Sequence, residues 1–332
     1  MKKIILITLI GIVLSSCKNN NKEYVSIQGI AQGTTFSIKY EPNPDTVSIK
    51  EIYNLLHQID KSLSIYDTNS IISRINKNDT TVELDRYFQE IFHESYKAYQ
   101  YTDGMFDITV APLVQYWGFI PDNTKKTSKQ EIDSLLKLVG MDKVHLQNNK
   151  IIKDNPNIKL DVNGIAQGYT VEKLSRLLES KNIKNYMIEL GGEVKVKGKN
   201  PEGQLWKIGI DKPIENSNEF NREIQDIIHI SDISLATSGS YRKFVEKNGI
   251  KYSHTINPIT GMPTTHNLLS VTILHNSCTF ADALATAIMV MGLEKGKRFI
   301  TENDIMAYLI YSDEKGNLKT WSSKKLNEKL NK

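Results

Sequence analysis

The chain has 332 residues, 39% apolar and 24% charged, which is enough for a sizeable buried core and excludes a disordered or fibrous protein. Its formal net charge is +4 and neither sign dominates a long stretch, so the concentrated basic face of a nucleic-acid binder is missing.

The first element in chain order is an address. Lys2 and Lys3 precede an apolar run over residues 4–14, followed by Ser15, Ser16 and Cys17. A positive start, a short greasy segment and small residues make an export signal, and the run is too short to span a bilayer as a mature helix. Leu14-Ser15-Ser16-Cys17 resembles the bacterial lipobox, which is cleaved before the cysteine so that the cysteine can carry lipid. The plainer alternative is a secretory peptide that happens to end in Cys. On the lipobox reading, residues 1–16 are the signal, 17–23 a polar lipidated tether, and 24–332 a single domain. Cys278 is then the remaining free thiol, and no internal disulfide is expected.

Strands are expected over 24–30 and 35–40, about a turn at Gly33. Ile49, Ile52, Tyr53, Leu56, Ile59 and Leu63 recur at helical spacing behind Ser48 as a cap. Leu84, Phe88, Ile91, Phe92 and Ser95 mark a second helix face. After an Asp103-Gly104 turn, Phe106, Ile108 and Val110 alternate as in a strand. A short strand is expected over 158–162, a helix over 166–180, and strands over 186–190, 194–196, 206–210, 227–230, 252–256 and 268–274. A strongly apolar helix over 279–291 and a strand over 306–311 complete the series. Without a steady βαβ rhythm, the fold class expected is α+β, with mixed, largely antiparallel sheets and packed helices.

Five segments could carry chemistry. Asp161-Val162-Asn163-Gly164-Ile165-Ala166-Gln167-Gly168-Tyr169 sits where a strand would end and a helix begin, a place that favours phosphate; it is equally a plain turn. Asp282 and Thr286 are four apart on one helix, so their oxygens share a face and suit magnesium. The alternative makes Thr279 the N-cap and Asp282 its capping-box acid. His254, in Ser253-His254-Thr255-Ile256-Asn257-Pro258, is a candidate general base or a satisfied structural histidine. Asp107 and Thr109 would face away from the apolar side of their strand. Glycine turns at Gly33, Gly191-Gly192 and Gly239 permit close approach of backbone to ligand, or simply turn the chain.

Taken together and in order, these segments resemble the ApbE family, the FAD:protein FMN transferases, from about Gly29 to about Gly292. The resemblance rests on Gly33-Thr34-Thr35-Phe36, Leu63-Ser64-Ile65-Tyr66, Thr102-Asp103-Gly104-Met105-Phe106-Asp107-Ile108-Thr109, Asp161 to Tyr169, Gly191-Gly192-Glu193, Ala236-Thr237-Ser238-Gly239, the His254 segment and Ala281-Asp282-Ala283-Leu284. It implies an α+β fold and a magnesium site made by the Gly164 carbonyl, Asp282 and Thr286. It implies FAD contacts at Gln32, Tyr66, Met105, Phe106, Asp107, Asp161, Gln167 and Ile256, with His254 and Asp282 as candidate catalytic groups. Gln167 stands where Lys or another charged residue is usual in the family, Asn257 and Ser240 where Asp is common, and Gln32 where Met is common.

The activity so implied is magnesium-dependent cleavage of the FAD pyrophosphate. An acceptor hydroxyl attacks the FMN phosphorus and AMP leaves. The implied acceptors are exported or membrane flavoproteins, such as subunits of membrane redox pumps. The implied location is a bacterial membrane, anchored through Cys17 and facing the periplasm. Two rivals remain at this level: a FAD pyrophosphatase that uses water, and a flavin-binding lipoprotein without turnover.

Overall fold

Alternating burial sets the first two strands, β1 (Val25–Ala31) and β2 (Thr34–Tyr40), as an antiparallel hairpin turned by Gln32 and Gly33 at φ 53° and 74°. The computed structural model describes residues 23–44, 46–118, 128–214, 222–240, 244–247, 250–253 and 255–330. Helix α1 (Ile49–Leu63) begins at Ser48, whose hydroxyl accepts the Glu51 N–H while the Glu51 carboxylate accepts the Ser48 N–H. Its buried stripe of Ile52, Leu56, Ile59 and Leu63 matches the helical spacing. Helices α2 (Ile71–Asn76) and α3 (Arg86–Tyr101) are capped by Ser70 and Asp85 and share a core with the end of α1. The second helix therefore starts past the expected Leu84 and runs on to Tyr101.

The alternation of Phe106, Ile108 and Val110 does not make a strand. The Asp107 carboxylate accepts the Thr109 N–H at 2.7 Å and caps a single 3-10 turn, Ile108–Val110, which runs into α4 (Ala111–Trp117). Helix α5 (Lys129–Leu136) and a small ribbon of β3 (Val144–Gln147) and β4 (Lys150–Lys153) follow. The segment 158–162 forms no strand either. Its apolar side chains Ile158, Leu160 and Val162 are buried, but its backbone bonds go elsewhere: Leu160 exchanges hydrogen bonds with the Asn76 amide, and the Asp161 N–H meets the Ile108 carbonyl at 2.7 Å.

Helix α6 (Ala166–Ser180) occupies the expected range, and β5 (Tyr186–Leu190), β6 (Glu193–Lys197), β7 (Trp206–Asp211), β8 (Ile224–Ile230) and β9 (Ile233–Gly239) come next. Strands β10 (Phe244–Lys247) and β11 (Ile250–Ser253) form a ribbon, so the strand expected over 252–256 ends earlier. Ile256 makes only an isolated bridge to Pro263. The chain closes with β12 (Leu268–His275), α7 (Cys278–Met291), α8 (Leu293–Glu302), β13 (Met306–Ser312), β14 (Leu318–Ser322) and α9 (Lys324–Leu330).

Eight strands form one sheet in the order β1-β2-β5-β6-β9-β12-β13-β14, with every neighbouring pair antiparallel. On one face α1 and α6 bury Leu56, Val171 and Leu174 against Phe36, Ile38 and Ile188, and α7 buries Ala281, Ala285 and Ile288 against Val271 and Ile273. The opposite side of α7, with Ala283, Ala287 and Val290, packs on the α1–α3 bundle. The other face of the sheet is covered by the β7–β8 ribbon and Leu326 of α9. The architecture is α+β, as expected, and α7 is apolar nearly all round because it lies between sheet and bundle. Among the described residues no helix is long and apolar enough to cross a membrane.

Candidate active site

A cavity of about 510 Å³ opens where the β1–β2 turn, the end of α1, the start of α6, the end of β9 and the middle of α7 meet. Gln32, Tyr66, Met105, Phe106, Asp107, Asp161, Gly164, Gln167, Ile256, Asp282 and Thr286 all line it. These segments are far apart in the chain, and the fold brings them to one place. His254 and Cys17 lie outside the described residues.

Helix α6 starts without a side-chain cap of its own. The first N–H groups of any helix have no partner inside it. One of them, at Gly168, donates to Asp282 Oδ2 across the helix pair at 2.9 Å. Asp282 is only 5% exposed. Burial raises its carboxyl to about 7, and the Gly168 N–H works in the opposite direction. The N-cap of α7 is Ser277, which accepts the Phe280 N–H, so Thr279 is not the cap and Asp282 is not a capping-box acid. The capping explanation of Asp282 is thereby removed.

Thr286, one turn beyond Asp282, donates to the Gly164 carbonyl at 3.4 Å and lies 3.2 Å from the Ser238 hydroxyl. A side chain at Gly164 would press on Thr286, because an added Cβ would lie 3.2 Å from its hydroxyl oxygen. One carboxylate, one carbonyl and two hydroxyls thus gather at the cavity wall. Among the described residues no three His, Cys, Asp or Glu side chains cluster as metal ligands. This hard-oxygen set, with few protein donors, fits magnesium, which keeps positions for water and phosphate oxygens; it does not fit a zinc cage.

The other predicted contacts are held in defined poses. Gln32 donates to Asp60 Oδ1 at 3.0 Å and accepts from the Thr170 hydroxyl at 3.0 Å. Its amide is therefore fixed between α1 and α6. The Gln167 amide lies under Gly191, where a Cβ would come within 2.5 Å of Nε2. Tyr66 is 72% exposed at the mouth, and Asn163 Nδ2 lies 3.5 Å from its hydroxyl. Met105 and Phe106 are buried walls. Asp107 is buried and raised to about 6 by that burial, against the lowering hydrogen bonds from Thr109. The Asp161 carboxylate accepts the Asn163 N–H at 2.8 Å and shapes the turn into α6. Ile256 is buried beside a loop that Trp117 ties down by donating to the Gly261 carbonyl at 2.8 Å. In that loop the Asn257 side-chain oxygen accepts the N–H of Ile259 and of Thr260, a turn that uses only an oxygen.

Asp60, Glu193 and Ser238 also line the cavity, although the sequence does not single them out as site residues. Asp60 looks like an ordinary polar position of an amphipathic helix, yet burial raises its carboxyl and it faces the cavity. Glu193, buried at the start of β6, and Ser238, half-buried near the end of β9, stand beside glycine turns, and the ends of those strands bring them to the site.

A model of the ApbE family matches residues 32–310. The chain belongs to the ApbE family. Within that family it is 34% identical over 319 residues to the FAD:protein FMN transferase of Vibrio cholerae, covering 94% of each chain. It is 33% identical to the FAD:protein FMN transferase of Haemophilus influenzae, covering 99% of each. Among solved structures, it resembles the flavin transferase ApbE from Vibrio cholerae with a TM-score of 0.81 and 34% identity over 92% of this chain and 99% of that one. It resembles the apo flavinyl transferase ApbE of Pseudomonas stutzeri with a TM-score of 0.82 and 29% identity, over 93% and 98% of the two chains.

Proposed function

We propose that this chain cleaves the pyrophosphate of FAD and transfers the FMN half to a Ser or Thr hydroxyl of an acceptor protein, releasing AMP. The observation that carries the reading is the cluster of a buried Asp282 carboxylate, the Gly164 carbonyl and the Thr286 hydroxyl at the wall of a cavity of substrate size. The names of its relatives, FAD:protein FMN transferases matched over nearly their whole length, support it. Gly164, Asp282 and Thr286 would hold magnesium, which when bound supplies positive charge to the phosphate oxygens.

The chain's own residues do the rest. The acceptor oxygen forms a bond to the FMN phosphorus, the bond from that phosphorus to the bridging oxygen breaks, and AMP departs with the bridging oxygen. The hydroxyl proton must pass to a base. His254 and Asp282 are the candidates. His254 directly precedes Thr255 and Ile256, which line the cavity, and Asp282 is raised toward neutrality by burial. Tyr66 and Phe106 offer aromatic faces to a flat ring, and the Gln32 amide, held by Asp60, and the Gln167 amide beside Gly191 offer polar contacts along the nucleotide.

The address is part of the same proposal. The signal pattern before Cys17 supports export, lipidation of Cys17 and anchoring to a bacterial membrane facing the periplasm. Acceptors there would be flavin-carrying proteins such as subunits of membrane redox pumps. The test is AMP release from FAD by the purified protein supplied with an acceptor, with and without EDTA. Release that stops on chelation is expected. Release untouched by EDTA would overturn the magnesium part, and no release even with acceptor present would overturn the reaction.

A further inference from the structure

Helix α7, which carries Asp282 and Thr286, and helix α6, which starts just after Gly164, cap each other. Asp282 of α7 takes the N–H of Gly168 near the start of α6. In return, Glu172 of α6 takes the N–H of Cys278, the first residue of α7, with Oε2 at 3.2 Å. Glu172 lies one turn after Gly168, and Cys278 one turn before Asp282. The two bonds are therefore neighbouring rungs between helices that run in opposite directions. At the Gly168 rung the helices touch: a Cβ there would lie 2.4 Å from the Cys278 carbonyl oxygen and 2.7 Å from Asp282 Cβ.

The second rung is tied to the sheet. Lys195 of β6 places its Nζ 2.9 Å from both carboxylate oxygens of Glu172, and 3.5 Å from the Asn276 carbonyl just before α7. Both side chains of the pair are only 15% exposed. A buried ion pair is weak as a source of stability, but it defines position well. Position is what the cluster needs. A helix shifted by one residue moves about 1.5 Å, whereas a metal or catalytic set tolerates about 0.5 Å.

We infer that Glu172, held by Lys195, is a positioning residue that fixes the axial register of α7, so that the Asp282 carboxylate meets Gly168 beside the Gly164 carbonyl and the Thr286 hydroxyl. The inference rests on the proposed divalent-cation reading of that cluster. The probe is therefore Mn2+ alone, titrated into purified metal-free protein and followed by loss of the free-ion EPR signal, with a thermal melt on each variant. Glu172→Met fills the space but loses the acceptor; Glu172→Gln keeps an acceptor for the Cys278 N–H. Glu172→Met is expected to weaken Mn2+ binding about tenfold or more, and Glu172→Gln by less than about threefold. Should Glu172→Met not fold, Lys195→Met, which frees the carboxylate from the sheet, is expected to weaken binding about threefold or more.

Unchanged Mn2+ affinity in a folded Glu172→Met or Lys195→Met protein, even with a lowered melting temperature, makes the contact merely structural and overturns the inference. Equal loss in the Gln and Met variants overturns the route through the Cys278 N–H. Wild-type protein that takes up no Mn2+ is a different failure: it removes the metal reading, and the inference with it.

Discussion

The Asp282 carboxylate accepts the backbone N–H of Gly168 at 2.9 Å, between residues 114 apart in the chain. That bond satisfies an amide that α6 cannot satisfy itself, and it aims a buried carboxylate at the start of the helix where the Gly164 carbonyl lies. Helix packing and the chemistry of the cavity are one feature here, and the first prediction follows from it.

Gly168→Ala should be costly although Ala is the better helix former. The added Cβ would sit 2.4 Å from the Cys278 carbonyl oxygen, which is backbone and cannot step aside. The helices must separate, with an expected loss of about 1–3 kcal/mol in stability and a weaker hold on Asp282. Urea unfolding measures the first and FAD-dependent AMP release the second. A variant as stable and as active as the parent would show that the close approach is not required.

Asp282→Ala should abolish transfer, with a fall of at least about a hundredfold, whereas Thr286→Ala should cost about tenfold. The carboxylate brings the only negative charge that α7 adds to the cluster, and the hydroxyl is a neutral donor with Ser238 beside it at 3.2 Å. Rates at several magnesium concentrations check this. Raising the magnesium concentration should recover part of the Thr286→Ala activity and none of the Asp282→Ala activity; the reverse order would contradict the assignment.

Asp107 predicts a pH dependence of stability. Burial raises its carboxyl to about 6 in the folded protein, whereas an unfolded aspartate ionises near 4. Between those values the native state holds a proton that the unfolded state has lost, so stability falls as pH rises through that window and levels off above it. Asp107→Asn keeps an oxygen for the Thr109 N–H and hydroxyl but does not titrate. Unfolding free energies at pH 4 and pH 7 should differ less in this variant, by on the order of 2–3 kcal/mol. Equal pH slopes in parent and variant would show that Asp107 ionises normally.

The lipid anchor is tested by Cys17→Ser. The variant should leave the membrane fraction and keep its activity, since Cys17 lies upstream of β1 and of every residue that lines the cavity. Protein that remains membrane-bound would contradict the anchor.

Much of the frame was legible in the chain. The stripe of Ile52, Leu56, Ile59 and Leu63 behind Ser48 reads directly as α1, and α6 occupies its expected range because the apolar spacing of Val171, Leu174 and Leu178 is a local signal. Strand β9 was not anticipated: Ile233, Ser234, Leu235 and Ala236 are all buried at the centre of the sheet, so the alternation that marks a half-exposed strand is lost. Phe106, Ile108 and Val110 misled in the opposite sense, because Asp107 diverts the backbone into a capped turn that a pattern of apolar residues cannot reveal. At the site, the spacing of Asp282 and Thr286 put two oxygens on one helix face. What spacing could not supply is the Gly164 carbonyl beside them, the Asp60–Gln32–Thr170 chain, or the Glu172–Cys278 rung. Each of these joins segments that only the packed helices bring together.

The most direct measurement of the central claim is the stoichiometry of a single reaction mixture. Purified protein is incubated with FAD, magnesium and a candidate acceptor, AMP is quantified, and covalent flavin on the acceptor is read by fluorescence in a denaturing gel. One AMP released for each flavin fixed to the acceptor, with little AMP when the acceptor is left out and none of either product with Asp282→Ala, is the predicted result. AMP and free FMN formed at the same rate without acceptor, and no fluorescent acceptor band, would contradict it and make the chain a hydrolase of FAD.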